Sequence, residues 1–134
     1  MNSTKYKDVS SDWIFMAESD LRAAEVMLRE EIFHMACFHA QQAVEKALKA
    51  VLRRHDQIVP KTHSLAKLLY DVHELGLSLS DDDILFLDQF YTPTRYPDTL
   101  PGGLPEGLPT ASDATSAVTA AARALDTLRN LLKQ

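Results

Sequence analysis

The sequence is poor in several features that would assign it quickly to a class of protein. It has one cysteine, Cys37, among 134 residues, which excludes an intrachain disulfide and a cysteine-ligated metal site and favours a reducing compartment. No apolar run is long enough to span a bilayer, and the N-terminal stretch lacks the apolar core of a signal peptide. These absences predict a cytoplasmic protein with no membrane partner.

Positive charge is also in short supply. The formal net charge is −5 at pH 7, so no overall positive field attracts nucleic acid, although a local basic patch is compatible with this value. The chain contains no glycine-rich phosphate loop, no nucleophile elbow and no H-E-x-x-H metal motif. No pair of histidines has the one-turn helical spacing of a metal site. The sequence therefore predicts neither a metal nor a cofactor.

Helical periodicity runs through most of the chain, and strand-like alternation is almost absent. With 46% hydrophobic and 25% charged residues, the chain has the composition and size of one globular domain with a substantial core. We predict an all-α domain over residues 1–134, an up-and-down four-helix bundle with an additional short helix. The predicted helices span residues 10–31, 32–55, 64–75, 80–91 and 110–132. Ser11 should cap the first helix, Ser80 with Asp83 the fourth, and Gly76 should end the third.

A long connection, from about residue 92 to 110, precedes the last helix. Its sequence, TPTRYPDTLPGGLPEGLPT, holds five of the six prolines and three of the four glycines. A connection of this length is uncommon in a compact domain and is usually functional or disordered. Its polar residues, above all Arg95, are therefore candidates for a site.

The stretch HAQQAVEKALKA, residues 39–50, places polar residues between alanines along the second helix. At about 100° per residue, small and apolar side chains gather on one broad core side. The opposite side carries Met35, Phe38, Gln42, Glu45, Lys46 and Lys49. Large apolar residues among amides and charges are typical of a subunit interface, so we predict a homodimer. The predicted interface residues are Met35, Phe38, Gln42 and Glu45. Alternatively, Phe38 packs under a loop and Glu45 pairs with Lys49 in the same chain.

Asp20 is unusual because it falls in the middle of the apolar side of the first helix. An unpaired carboxylate there would cost roughly several kcal/mol in lost hydration. Asp20 should therefore have a polar partner, for which Arg95, Lys46 and Lys49 are candidates. We favour a structural role for Asp20, such as anchoring the long connection, over a catalytic one.

Basic residues concentrate around the end of the second helix and the start of the third. The candidate nucleotide- or phosphate-binding residues are Lys46, Lys49, His63, Arg95 and Tyr96. His63 lies where the N–H groups of a helix N-terminus point outward, which favours an anion. Arg95 could hold a phosphate bidentately, and Tyr91 or Tyr96 could stack on a base. The structural alternative is that His63 only caps the third helix.

Four segments, taken in order, resemble the HEPN family, the helical domains named from higher eukaryotes and prokaryotes nucleotide-binding. They are DLRAAEVML, FHMACFHAQQAVEKALKAVL, KTHSLAKLL and FYTPTRYPD. The Q-A-x-E-K-x-x-K-A run, the T-H-x-L step and the R-Y-P-D turn are specific in combination rather than singly. The resemblance extends from about Trp13 to the last helix, and it implies an up-and-down helical bundle and a homodimer.

The resemblance also implies function. Many members of the family pair with a small nucleotidyltransferase as toxin and antitoxin, and one branch comprises metal-independent RNases with an R-x4–6-H motif. Here no histidine follows Arg95, so that motif is missing from its usual place. We therefore expect a dimeric binding or accessory module with a nucleotidyltransferase-type partner, and leave open whether it is an enzyme. The alternatives are an RNase toxin with an atypical site, or a purely structural dimer. The candidate catalytic residues are Arg95, Tyr96, Asp98 and His63.

Overall fold

The protein is helical throughout the part of the chain that its computed structural model describes, residues 9–91, 102, 104 and 107–133. In these residues there are five α-helices, one short 3-10 helix and no β-strand. The α-helices are α1 (Ser10–Arg29), α2 (Phe33–Arg54), α3 (Leu65–Glu74), α4 (Asp82–Leu87) and α5 (Ala111–Leu131), and the 3-10 helix is Asp88–Phe90. The predicted all-α class is confirmed, and the up-and-down order of four main helices remains a prediction.

The predicted cap of α1 is wrong. The helix begins at Ser10, and Val9 stands at its N-cap without a side-chain hydrogen bond. The Val9 carbonyl accepts hydrogen bonds from the amides of Asp12 and Trp13, at 3.0 and 3.1 Å. The backbone therefore enters the helix before Ser11, which leaves Ser11 no capping role.

The predicted cap of α4 is also wrong. Asp81, not Ser80, occupies the N-cap position, and no side chain caps this helix. Asp83 accepts two hydrogen bonds from the guanidinium of Arg123 on α5, both 2.9 Å long. A bidentate charged pair is stronger than a neutral capping bond, so this carboxylate faces α5 rather than its own helix end.

The ends of α3 and α5 follow local chemistry closely. Gly76 ends α3 as predicted, with a φ of +82° that glycine adopts without steric cost. At the start of α5, Thr110 and Asp113 exchange side chain-to-backbone hydrogen bonds of 3.2 and 2.9 Å. This capping box satisfies two N–H groups that would otherwise have no partner.

Helix α2 is the central element of the fold, because it packs against α1, α3, α4 and α5. Many of its buried side chains are small, which lets the neighbouring helices approach closely. The buried alanines of α2 are Ala36, Ala40, Ala43, Ala47 and Ala50. No helix among the described residues combines the length and the apolar character needed to cross a bilayer. With neighbours on several sides, α2 has little surface left for a solvated face.

Candidate functional site

The polar side of α2 lies largely inside the chain rather than in solvent. Gln41, Glu45 and Lys49 are buried, while Gln42 and Lys46 are half-buried. Side chains of α1 and of the segment before α3 cover them. The regularly spaced amides and charges of this helix therefore form an internal network.

Asp20 has two partners on α2. One carboxylate oxygen lies 2.9 Å from Nδ1 of His39, and the other accepts a short hydrogen bond from Nζ of Lys46. The Asp20 side chain is only 12% exposed, so both oxygens need such partners. Among the three candidate partners, Lys49 pairs elsewhere and Arg95 lies outside the described residues. His39 was missed, although it precedes Lys46 by two helical turns and therefore lies on the same strip of α2.

Glu45 has three partners. Its carboxylate accepts a hydrogen bond of 3.0 Å from Lys49 and one of 3.3 Å from Gln42, and Nδ1 of His63 lies 3.2 Å from both oxygens. The Lys49 ammonium also lies 5.6 Å from the ring centroid of Trp13 on α1, a cation–π distance. A buried carboxylate is tolerated only when it is paired and hydrogen-bonded, and Glu45 meets both conditions.

A row of stacked rings connects the two carboxylate–imidazole pairs. The His63 ring stacks on Tyr91 with centroids 4.3 Å apart, and Tyr91 stacks on Phe38 at 5.9 Å. Phe38 in turn meets His39 edge to face at 5.6 Å. Burial, with a smaller effect of the Glu45 charge, raises the pKa of the Tyr91 phenol above its ordinary value of 10.0. The His63 side chain is 48% exposed, and it brings the row to the surface.

These residues together are called the polar cluster below. It comprises Asp20, His39, Glu45, Lys46, Lys49, His63 and Tyr91. Its two carboxylates balance its two ammonium groups, so any positive excess depends on protonation of the imidazoles. Asp20 contacts Nδ1 of His39, and Glu45 contacts Nδ1 of His63. The Nε2 atom of each ring is therefore the one that can transfer a proton to a bound molecule or form a hydrogen bond with it.

The predicted anion site at the start of α3 is already filled by the protein. The carboxylate of Asp88 accepts hydrogen bonds from the N–H groups of Leu65 and Ala66, at 2.7 and 3.3 Å, and Ser64 caps the helix. These first-turn N–H groups are therefore not available to a phosphate. A phosphate beside His63 must be held by side chains instead. The sequence did not predict this role of Asp88, because Asp88 lies in the 3-10 helix, 23 residues after Leu65.

The predicted interface residues also make contacts within their own chain. Glu45 is buried and pairs with Lys49, while Met35, Phe38 and Gln42 are half-buried. Phe38 packs against an aromatic ring of its own chain. The Glu45–Lys49 pair of the intrachain alternative is thus present. The packing of Phe38 under a loop and the interface on this side of α2 both remain predictions.

The catalytic candidates Arg95, Tyr96 and Asp98 lie outside the described residues, and their roles remain predictions. His63 is the described member of that set. Within residues 9–91 and the described positions beyond them, no three histidine, cysteine, aspartate or glutamate side chains converge as metal ligands would.

The fold and the polar cluster together define an all-helical module whose polar residues lie between α1, α2 and the start of α3. The sequence matches the model of the HEPN domain over residues 10–131, and the chain therefore belongs to the HEPN family. No curated protein is significantly similar to it.

Three solved structures are similar to the chain over most of its length. ST0689, an archaeal HEPN homologue, is 34% identical with a TM-score of 0.69, covering 92% of this chain and 97% of its own. TT1696 from Thermus thermophilus is 32% identical with a TM-score of 0.76, covering 93% and 99%. A HEPN domain protein from Thermotoga maritima is 26% identical with a TM-score of 0.71, covering 92% and 98%.

Proposed function

We propose that the protein is a dimeric HEPN module that binds a nucleotide or an RNA phosphate at the solvent-exposed edge of the polar cluster. The observation that carries this proposal is the half-exposed His63 ring, stacked on Tyr91 and held by Glu45. Flat rings at a surface offer a platform for a base, and stacking is worth about 1–3 kcal/mol per base. An imidazole beside that platform supplies a donor for phosphate.

The two lysines of the cluster have different roles in this proposal. The Lys46 ammonium has three N–H donors, and its one described partner is Asp20, so donors remain for a phosphate at this partly exposed position. Lys49 is buried between Glu45 and the Trp13 ring, out of reach of a bound molecule. Lys46 therefore binds the ligand, and Lys49 keeps Glu45 in place.

A nucleotidyltransferase-type partner protein is the second part of the proposal. Its support is membership of the HEPN family and the resemblance described above. Co-expression with a small nucleotidyltransferase of the type that pairs with HEPN proteins should yield a complex of fixed stoichiometry in size-exclusion chromatography. Separate elution of the two folded proteins at concentrations of tens of micromolar would contradict this part and leave ligand binding untouched.

Ligand binding is tested with a fluorescently labelled single-stranded RNA and with a labelled mononucleotide, both without metal. His63→Ala removes the stacking ring and the imidazole, and we expect Kd to rise about tenfold, equivalent to about 1.4 kcal/mol. Lys46→Gln should weaken binding and flatten its salt dependence, because one phosphate contact is lost. Lys133→Gln, the same charge change on the far C-terminal turn, is the control. Equal affinity of folded wild type and His63→Ala would overturn the proposed site.

RNA cleavage is the alternative function, and one observation favours it. His39 and His63 are each held through Nδ1 by a carboxylate, an arrangement that orients an imidazole for proton transfer. Wild type, His63→Ala and Arg95→Ala should be incubated with a mixed RNA pool and EDTA, with His73→Ala as the control. Cleavage by the wild type and by His73→Ala that is lost in both His63→Ala and Arg95→Ala would support an RNase. An intact pool with folded wild type would leave the binding function in place.

A further inference from the structure

The outer side of α1 exposes large apolar residues that nothing in the described chain covers. Phe15 is 66% exposed, Met16 47% and Val26 39%. Phe15 and Val26 are eleven residues apart, close to three full helical turns, so they lie on one line along the helix. The inner side of the same helix is packed in the core through Ala17 and Ala24.

The exposed line has the spacing of a helix–helix seam. Alternating steps of three and four residues connect six positions, and all six are exposed. They are Asp12, Phe15, Ser19, Arg22, Val26 and Arg29. This is the spacing of the a and d positions by which two helices pack side by side. Phe15 and Val26 are its apolar members, and the other four positions are polar. The pattern extends over the whole of α1, from its first turn to its last residue.

The seam is complementary to itself when a second copy runs in the opposite direction. With a two-fold axis between Ser19 and Arg22, Phe15 lies opposite the partner's Val26, and Asp12 lies opposite the partner's Arg29. Each of these pairs then occurs twice, as two-fold symmetry requires. A parallel arrangement would instead bring like charges together at both ends, which is unfavourable.

The polar members of the seam are available for these contacts. Among the described residues, Asp12, Arg22 and Arg29 have no ion pair or side-chain hydrogen bond within the chain. The Ser19 hydroxyl donates to the Phe15 carbonyl at 3.0 Å, so its lone pairs remain able to accept from the partner's Arg22.

We infer that α1 is a self-association surface, on which a second copy of this chain packs antiparallel along the Asp12 to Arg29 seam. The inference rests on the homodimer in the proposed function, and it names a face other than the polar side of α2. A strip about 30 Å long and about 10 Å wide presents roughly 300 Å² in projection. Stable complexes bury about 800 Å² per partner, so the dimer should be weak and concentration-dependent.

Charge exchange across the seam provides the test, with sedimentation equilibrium of the full chain as the measurement. Asp12→Lys and Arg29→Glu should each raise the dimer Kd at least about tenfold, because each places like charges together twice. An equimolar mixture of the two variants should regain wild-type affinity. In that heterodimer the lysine introduced at position 12 of one copy faces the glutamate introduced at position 29 of the other. At the opposite end of the seam, the native Arg29 faces the native Asp12.

Two further variants separate association from folding. Phe15→Ser should dissociate the dimer without changing the helical circular dichroism, because Phe15 is exposed. Glu74→Lys on α3 carries the same charge change as Asp12→Lys and should leave the mass unchanged.

The α1 surface and the homodimer itself can fail separately. If Phe38→Glu gives folded monomers while every α1 variant stays dimeric, the inference is overturned and the homodimer stands. Failure of the mixed variants to associate would overturn the antiparallel pairing. A wild type that stays monomeric up to its solubility limit would overturn both.

Discussion

Asp20 shows at the scale of one residue how a carboxylate is kept inside a helical core. It faces α2 from the inner side of α1, and both of its oxygens have partners there, His39 and Lys46. The desolvation cost of the charge is offset only while these partners remain. Removing Asp20 would also leave the partly buried Lys46 without a counter-charge. Its loss should therefore destabilise the fold both by removing its own hydrogen bonds and by leaving the Lys46 ammonium unpaired.

Asp20→Ala should lower the free energy of unfolding by about 1–3 kcal/mol, because buried polar groups lose their partners. Lys46→Met should also lower the free energy of unfolding. The double variant Asp20→Ala/Lys46→Met should lose less stability than the sum of the two single variants, with a coupling energy of about 1 kcal/mol. Urea denaturation measures all three. Glu25→Ala, an exposed carboxylate on the same helix, should stay within about 0.5 kcal/mol of wild type. Equal effects of Asp20→Ala and Glu25→Ala would show that the network contributes nothing.

Asp83 gives a residue-scale prediction about pH. Hydrogen bonds from Arg123, and its charge, hold the pKa of this carboxyl below its ordinary value of 3.8. A lowered folded-state pKa adds stability above the unfolded pKa, and this stability is lost as the pH falls through the folded value. Asp83→Asn should therefore destabilise the protein at about pH 6 and approach wild type at the acid end.

Denaturation at several pH values, at low and high salt, tests the Asp83 prediction. The pair is solvent-exposed, so added salt should reduce the difference. Asp82→Asn, which removes the same charge from the same helix turn, is the control. A constant difference between Asp83→Asn and wild type across the acid range would mean that the ion pair does not stabilise the fold.

At the scale of elements, Gly102 fixes how the chain returns to α2 before α5. Its N–H donates to the Phe90 carbonyl at 3.0 Å, and it has a φ of +77°. A Cβ at this position would lie 1.9 Å from the carbonyl oxygen of His34, in the first turn of α2. Only a glycine can therefore lie this close to the backbone of α2 at His34.

Gly76 is a natural comparison for Gly102, because its φ of +82° is similar and no atom lies within 4 Å of its virtual Cβ. Gly76→Ala should cost about 1–2 kcal/mol, the strain of the left-handed conformation alone. Gly102→Ala adds a backbone clash, and we expect about 1–3 kcal/mol more. Chemical denaturation of the two variants gives the difference directly. Equal costs would mean that the backbone at Gly102 moves away without resistance.

At the scale of the whole molecule, the central position of α2 decides what each of its faces can do. On the face predicted to meet another subunit, Glu45 is buried, Phe38 packs on Tyr91, and Met35 and Gln42 are half-buried. The outer side of α1 carries three exposed large apolar residues, Phe15, Met16 and Val26. In our two proposals, association uses the outer side of α1 and ligand binding uses the polar cluster, so the two functions are expected to lie on different surfaces.

Phe38→Glu tests this separation. The Phe38 ring packs on Tyr91 and against His39, so a carboxylate there should cost about 2–4 kcal/mol and lower Tm. With α1 as the association surface, the dimer mass should be retained at temperatures where the variant is folded. Phe38→Leu keeps an apolar side chain and should be milder. A monomer with unchanged Tm would instead support the predicted interface on α2.

Local patterns predicted the elements well. The predicted span 32–55 is observed as Phe33–Arg54, and 110–132 as Ala111–Leu131. Periodicity, a threonine cap and a terminal glycine act within a few residues, so the sequence displays them directly. The caps of α1 and α4 were mispredicted because Val9 and Arg123, the groups that decide them, lie outside the capping motifs.

The site was predictable only in part. The need of Asp20 for a partner followed from desolvation, which requires no knowledge of the fold. The identity of His39 as a partner, and the role of Asp88 at the start of α3, depend on contacts across 19 to 23 residues of sequence. Nothing in local spacing encodes such contacts.

The sequence by itself determined the all-α class, the positions of the helices and the family, because these depend on local periodicity and on short motifs in order. The tertiary structure alone decided which side of α2 is buried, which cations meet Asp20 and Glu45, and that α3 has no free N-terminus. Burial and pairing depend on which elements lie against one another. A helix with polar residues on one side looks the same in sequence whether water or another helix covers that side.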